Sequence, residues 1–165
     1  MRSVCVATSL AIAFGFSTAW TATQTKEKAV TQKDAIRFIK SDTLPPSPGY
    51  SQAAEIRPGS RIIYIAGQVA IDRSGKLVGE GDLRAQATQT FENLKAALQA
   101  SGASFENVVK LNSYFVDMSQ LAAFREVRDK YVNIANPPAS TAVQVSRLFR
   151  EGFLIEVEAI AVVPE

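Results

Sequence analysis

Residues 136–165 read NPPASTAVQVSRLFREGFLIEVEAIAVVPE, and the fold turns on how that stretch divides. Asn136-Pro137-Pro138 stops the element before it, because proline lacks a backbone N–H and restricts its predecessor. Residues 139–148 then read as a strand, Arg150-Glu151-Gly152 as a turn and residues 153–163 as a second strand, together a β-hairpin. Alternation puts Phe153, Ile155, Val157 and Ala159 on one face of the second strand and Glu156 and Glu158 on the other. Two readings are open for these carboxylates. They are the solvated face of an edge strand, or a general base lining a pocket.

At 165 residues the chain is at most one ordinary domain with a real core. Met1-Arg2, an apolar run over residues 4–16 and the small-x-small pattern Ser17-Thr18-Ala19 together predict a secretory signal peptide over residues 1–19. A cut after Ala22 would put Trp20 at a position that disfavours bulk, so the bond after Ala19 is preferred. The apolar run is too short to span a bilayer comfortably, and the expectation is an exported protein, periplasmic or secreted, with no membrane span once matured. Removing residues 1–19 takes one base, Arg2, from 18 bases against 16 acids, leaving 17 against 16. Such a balance points to neither nucleic acid nor an anionic membrane.

The matured chain would hold no cysteine, since Cys5 lies in the signal, and the whole chain has no histidine. Disulfides, thiolate nucleophiles, Ser-His-Asp relays and the usual zinc sites are thereby excluded, and neither metal nor cofactor is expected. Chemistry is left to carboxylates, tyrosine, lysine, arginine and backbone groups.

Residues 20–34 read as a polar leader and residues 35–165 as the domain. Residues 35–39 suit a short edge strand. Pro45, Pro46 and Pro48, with Gly49 after them, impose an extended loop that delivers Tyr50, a packing residue or a ligand contact. Residues 50–56 and 60–71 read as two strands joined at Arg57-Pro58-Gly59, a second hairpin, with Gly67 marking a bulge or a close approach of ligand. Asp82 caps a helix to Ser101 whose stripe is Leu83, Ala87, Phe91, Leu94 and Leu98, and Gly102 stops it. Residues 108–118 form a strand, and Ser119 caps a helix to Val132 carrying Leu121, Phe124, Val127 and Tyr131 on one face. Arg125, Arg128 and Lys130 crowd that helix, as solvated charges or ligand contacts. The order predicts an α+β fold, one mixed sheet with two helices on one face. A second subunit would cover the other face.

Residues 45–163 resemble the RidA/YjgF family. The stretches that carry the likeness are Ser47-Pro48-Gly49-Tyr50-Ser51-Gln52-Ala53, Ile65-Ala66-Gly67-Gln68-Val69, Gln86-Ala87 through Asn93-Leu94, Val108-Val109-Lys110, Pro138-Ala139, residues 143–148 and residues 155–162. The resemblance implies a chorismate-mutase-like, YjgF-type fold, a homotrimer with sites in clefts between subunits, and hydrolysis of reactive enamines and imines to ketones and ammonia. Tyr50, Gly67 and Glu156 match the family's site, with Glu156 at the glutamate that positions the attacking water. The carboxylate-holding arginine that follows Pro-Ala is Ser140 here, the site serine is Ala66, a site cysteine is Ala142 and a helix asparagine is Arg128. A serine hydroxyl cannot replace a bidentate guanidinium, so the substrate is expected to differ. Two functions follow: a divergent imine deaminase using Glu156, with Tyr50, Gly67, Ser140, Ala142 and Arg128 around a small molecule; or a non-catalytic binding or chaperone-like trimer.

Overall fold

The computed structural model describes residue 31 and residues 35–165. The signal peptide expected over residues 1–19 lies outside the described residues, as does the leader except for Thr31. Element order is β1 (Ile36–Ile39), β2 (Ala53–Ile56), β3 (Ser60–Val69), α1 (Leu83–Ala100), β4 (Val108–Phe115), α2 (Leu121–Arg128), β5 (Ala139–Gln144) and β6 (Ile155–Pro164). Strand and helix occur in the expected succession. Their pairing does not.

A four-stranded mixed sheet runs β3-β6-β4-β5, with β6 antiparallel to both neighbours and β5 parallel to β4. The hairpin expected from β5 and β6 is absent, because β4 lies between them. Residues 145–154 are too long for a tight hairpin turn and carry the chain past β4. The strand bearing Glu156 is therefore central, which removes the edge-strand reading of its carboxylates. The second expected hairpin is also replaced: β2 pairs antiparallel with β1 in a separate two-stranded sheet. Arg57 N–H continues that ladder to the Ala35 carbonyl at 2.9 Å.

Both helices pack on one face of the large sheet. Leu83, Ala87, Phe91, Leu94 and Leu98 of α1, with Phe124 and Val127 of α2, meet Ile65, Leu111, Phe115, Ile155, Val157, Ala159 and Ala161. Phe115 and Phe124 meet edge to face at 4.9 Å, and Phe91 stacks on Tyr131 at 5.0 Å, both favoured aromatic geometries. Asp82 caps α1 by accepting from the N–H groups of Arg84 and Ala85. At the other end Gly102 takes φ +72°, letting Ala103 N–H reach back to the Leu98 carbonyl at 2.8 Å. The second helix starts later than Ser119: Asp117 caps a turn of 3-10 helix at Met118–Gln120, and α2 ends at Arg128 rather than Val132.

The far face of the sheet is covered at one end by the small sheet, where Ile36, Phe38, Ala54 and Ile56 pack on Val109, Ile160 and Val162. A bulge in β4 makes this possible: Val108 stays opposite Ala161 in the main core while Val109 is the extra residue and joins the second cluster. The rest of that face is open. Ile62, Tyr64 and Val143 remain exposed, Tyr64 at 77 %.

Candidate functional site

Two residues of β3, Ala66 and Gly67, oppose the single residue Glu158 of β6, since the register steps from Ile65 with Ala159 to Gln68 with Val157. This bulge bends β3 and brings the Gly67 backbone onto Glu156. A Cβ at residue 67 would lie 2.0 Å from Glu156 Oε1, so only glycine leaves the carboxylate where it is. Gly67 and Glu156 thus form one unit. Glycine serves here as space for a side chain.

On the same face β4 presents Lys110, Asn112 and Tyr114, because Asn112 lies opposite Glu158 and Tyr114 opposite Glu156. Asn112 Nδ2 donates to Glu158 Oε1 at 2.7 Å, and the Tyr114 hydroxyl donates to the same oxygen at 3.1 Å. Glu156 has no hydrogen-bond or ion-pair partner among the described residues. Burial, and then the repulsion of Glu158, push its carboxyl above the usual glutamate range. The Tyr114 phenol is raised as well, chiefly by burial and then by its bond to Glu158, so it stays a donor. Asn112 and Tyr114 escaped the sequence reading. The alternation of Lys110, Asn112 and Tyr114 against Leu111, Ser113 and Phe115 was the signal available.

The remaining candidates gather elsewhere. Ser51 N–H donates to the Pro138 carbonyl at 3.2 Å and Ser51 bridges Ala139, which holds Tyr50 beside the start of β5. Ser47 Oγ donates to the Tyr50 carbonyl at 2.6 Å and tightens the loop. Behind it Gly49, at φ +78°, packs on the guanidinium of Arg128, where a Cβ would meet Nη2 at 2.5 Å. Arg128 is buried and gives Nε and Nη2 to Asp129 Oδ1 at 2.8 and 2.7 Å. It is not one of the solvated charges of α2.

Ser140 and Ala142 lie opposite Leu111 and Ser113, hence on the helix side of the sheet and away from Glu156. Their backbone faces outward. The Pro138 carbonyl points to Ser51 on the outer side, while Val145 N–H points inward to the Phe115 carbonyl at 2.8 Å. Strand alternation then turns the N–H groups of Ser140 and Ala142 off the edge of the sheet. Within one chain the candidates therefore form two groups: Gly67 with Glu156, and Tyr50 with Arg128, Ser140 and Ala142.

The bulge, the central acidic strand and the two helices on a mixed sheet define a class of small α+β proteins with solved members. The profile of the family described as endoribonuclease L-PSP matches residues 41–163, and the chain belongs to this family, the RidA/YjgF family. Protein DfrA of Myxococcus xanthus is 40 % identical over 129 residues, which cover 78 % of this chain and 96 % of that protein. A 2-iminobutanoate/2-iminopropanoate deaminase of Mus musculus is 38 % identical over 129 residues, covering 77 % and 92 %. Among solved structures, the Rid-family protein YyfB of Yersinia pestis superposes with a TM-score of 0.71 at 36 % identity, covering 78 % of this chain and 99 % of that one. RidA of an Antarctic Psychrobacter gives 0.57 at 35 % identity, covering 77 % and 99 %. The YjgF-type fold expected from the sequence is the fold observed.

Proposed function

We propose that this protein binds and hydrolyses a small imine, enamine or related carbonyl compound, with Glu156 as the base toward water. The observation that carries the reading is the state of Glu156: partly buried, without a partner among the described residues, and raised above the usual glutamate range by burial and then by Glu158. Such a carboxylate takes a proton from water as the oxygen adds to the imine carbon and passes it to nitrogen, then relays the remaining hydroxyl proton to nitrogen as the carbon–nitrogen bond breaks and the carbonyl forms. The products are a carbonyl compound and ammonia. No histidine, thiol or cofactor is needed for that sequence.

In this reading three copies associate, and each site joins Gly67 and Glu156 of one copy to Tyr50, Ser140, Ala142 and Arg128 of the next. The exposed Ile62, Tyr64 and Val143 on the open face support association, as do the two sheet edges, β3 and β5. The outward N–H of Ala142 offers a neutral donor to the ligand. Ser140, standing where deaminase relatives place an arginine, takes away the usual carboxylate clamp, so the preferred substrate lacks that carboxylate or holds it weakly. The expected signal peptide places the protein outside the cytoplasm, where it would meet a different set of reactive carbonyl compounds.

That same Ser140 favours the alternative, a trimer that binds a small molecule or a protein segment without turning it over. Ammonia release from enzymatically generated 2-iminopropanoate and 2-iminobutanoate, measured on residues 20–165 beside Ser140→Arg and Glu156→Gln, separates the two. Release in either the native or the Ser140→Arg protein, lost with Glu156→Gln, supports hydrolysis. Silence in both, from a folded oligomer, leaves the binding reading.

A further inference from the structure

Two donors lie within reach of the acidic pair, and one carboxylate takes both. Tyr114 is directly opposite Glu156 in register, yet its hydroxyl leans along the strand to Glu158 Oε1, where Asn112 Nδ2 already donates. Glu158 thereby accepts from both donors and Glu156 is left without one. Gly67 presses on Glu156 from the other side and supplies open space without a polar side chain.

We propose that Glu158, Asn112 and Tyr114 form a positioning network for Glu156, in which Glu158 draws the neighbouring donors to itself and so keeps the Glu156 carboxylate free to exchange a proton with water or ligand. This assignment rests on the reading of Glu156 as the base. Sequestering the donors matters because a carboxylate that accepts from a phenol or an amide is a weaker base than a bare one. The charged and titratable groups facing Glu156 are few. Strand β6 contributes Glu158, and β4 contributes Tyr114, with Lys110 beyond Asn112 and turned to Thr141 Oγ1 at 2.6 Å. On β3 only Tyr64, opposite Ile160, is titratable on this face, and β5 adds the uncharged Thr141 and Val143. Glu158 is accordingly the nearest fixed charge. It is a positioning residue and touches no reacting atom.

The test is a carbon-13 carboxyl titration of the full domain by NMR, with Glu156 assigned by Glu156→Gln, in the native protein, Glu158→Gln and Tyr114→Phe. Glu158→Gln is expected to lower the Glu156 midpoint, the effect of losing a like charge beside a partly buried carboxyl. Tyr114→Phe is expected to leave the Glu156 midpoint in place. An unmoved Glu156 midpoint in Glu158→Gln overturns the proposal. So does a rise of the Glu156 midpoint in Tyr114→Phe, which would mean that the phenol serves Glu156, and this second variant decides alone should Glu158→Gln not fold. The titration needs no substrate. Ammonia release with an unmoved midpoint would sink the network and leave the hydrolytic reading, and a shifted midpoint without ammonia release from any variant would do the reverse.

Discussion

Replacing Gly67 by alanine separates the chemistry of the site from the stability of the fold. The new methyl carbon would sit 2.0 Å from Glu156 Oε1, 2.9 Å from Cδ and 3.1 Å from Cγ. Ordinary van der Waals contact begins at 3.4 Å, so the oxygen must withdraw by about 1.4 Å. Gly67 is not among the glycines with positive φ, hence alanine suffers no left-handed backbone penalty. The obstructing atom is the end of a flexible side chain. Its move to another rotamer costs about 1 kcal/mol, and the loss of glycine's freedom in the unfolded chain returns about 0.4–1 kcal/mol. Net stability should shift by less than about 1 kcal/mol, or roughly 4 °C in Tm. Catalysis should suffer far more, because displacing a reacting group by about 1 Å costs on the order of a hundredfold. The measurement pairs a thermal melt with ammonia release, in the native background if that is active and in Ser140→Arg otherwise. Activity kept within about threefold would refute the argument that Gly67 exists to seat Glu156, since the threshold lies well below the hundredfold expected. A melting point lowered by more than about 10 °C would show instead that the bulge is a structural need.

Three further outcomes follow from other contacts. Gln86 is fully buried, donates through Nε2 to the carbonyls of Gly79 and Gly152 at 3.1 and 2.8 Å, and accepts from Leu154 N–H at 2.8 Å. Gln86→Leu should cost about 3 kcal/mol in urea unfolding, because Leu154 N–H and the Gly152 carbonyl are left partly buried without partners. Asp82→Ala should cost about 1 kcal/mol by the same measurement, through loss of the acceptor for Arg84 and Ala85 N–H. Because the folded Glu156 carboxyl is raised above its unfolded value, it weakens the fold as pH rises from about 4.5 through the raised value. Glu156→Gln should therefore raise Tm at pH 7 and leave it unchanged at pH 4, and an equal gain at both would contradict a raised carboxyl.

Local signals carried most of the elements. Asp82, the apolar stripe from Leu83 to Leu98 and Gly102 marked α1 to within a residue at each end, because caps and helical periodicity are properties of neighbours in sequence. Alternation likewise set Glu156 and Glu158 on one face of β6, whatever that strand would pair with. Ser119 was the wrong cap because Asp117, two residues earlier, accepts the N–H of Ser119 itself. Arg128, left by the sequence as a solvated charge or a ligand contact, is buried under Gly49, a contact between segments nearly eighty residues apart.

The sequence by itself determined the α+β succession, from residue type and spacing along the chain, and the family, from the motifs that resemble it. Only the tertiary structure decided which strands meet. Both hairpins failed because backbone ladders do not depend on sequence proximity, and β6 satisfies two rows of N–H and carbonyl groups between β3 and β4 where a pairing with β5 would satisfy one. That central place makes Glu156 partly buried and surrounds it with Gly67, Tyr114 and Glu158, drawn from three strands. Burial and a neighbouring charge set the basicity of a carboxylate, and neither is defined until those strands are side by side.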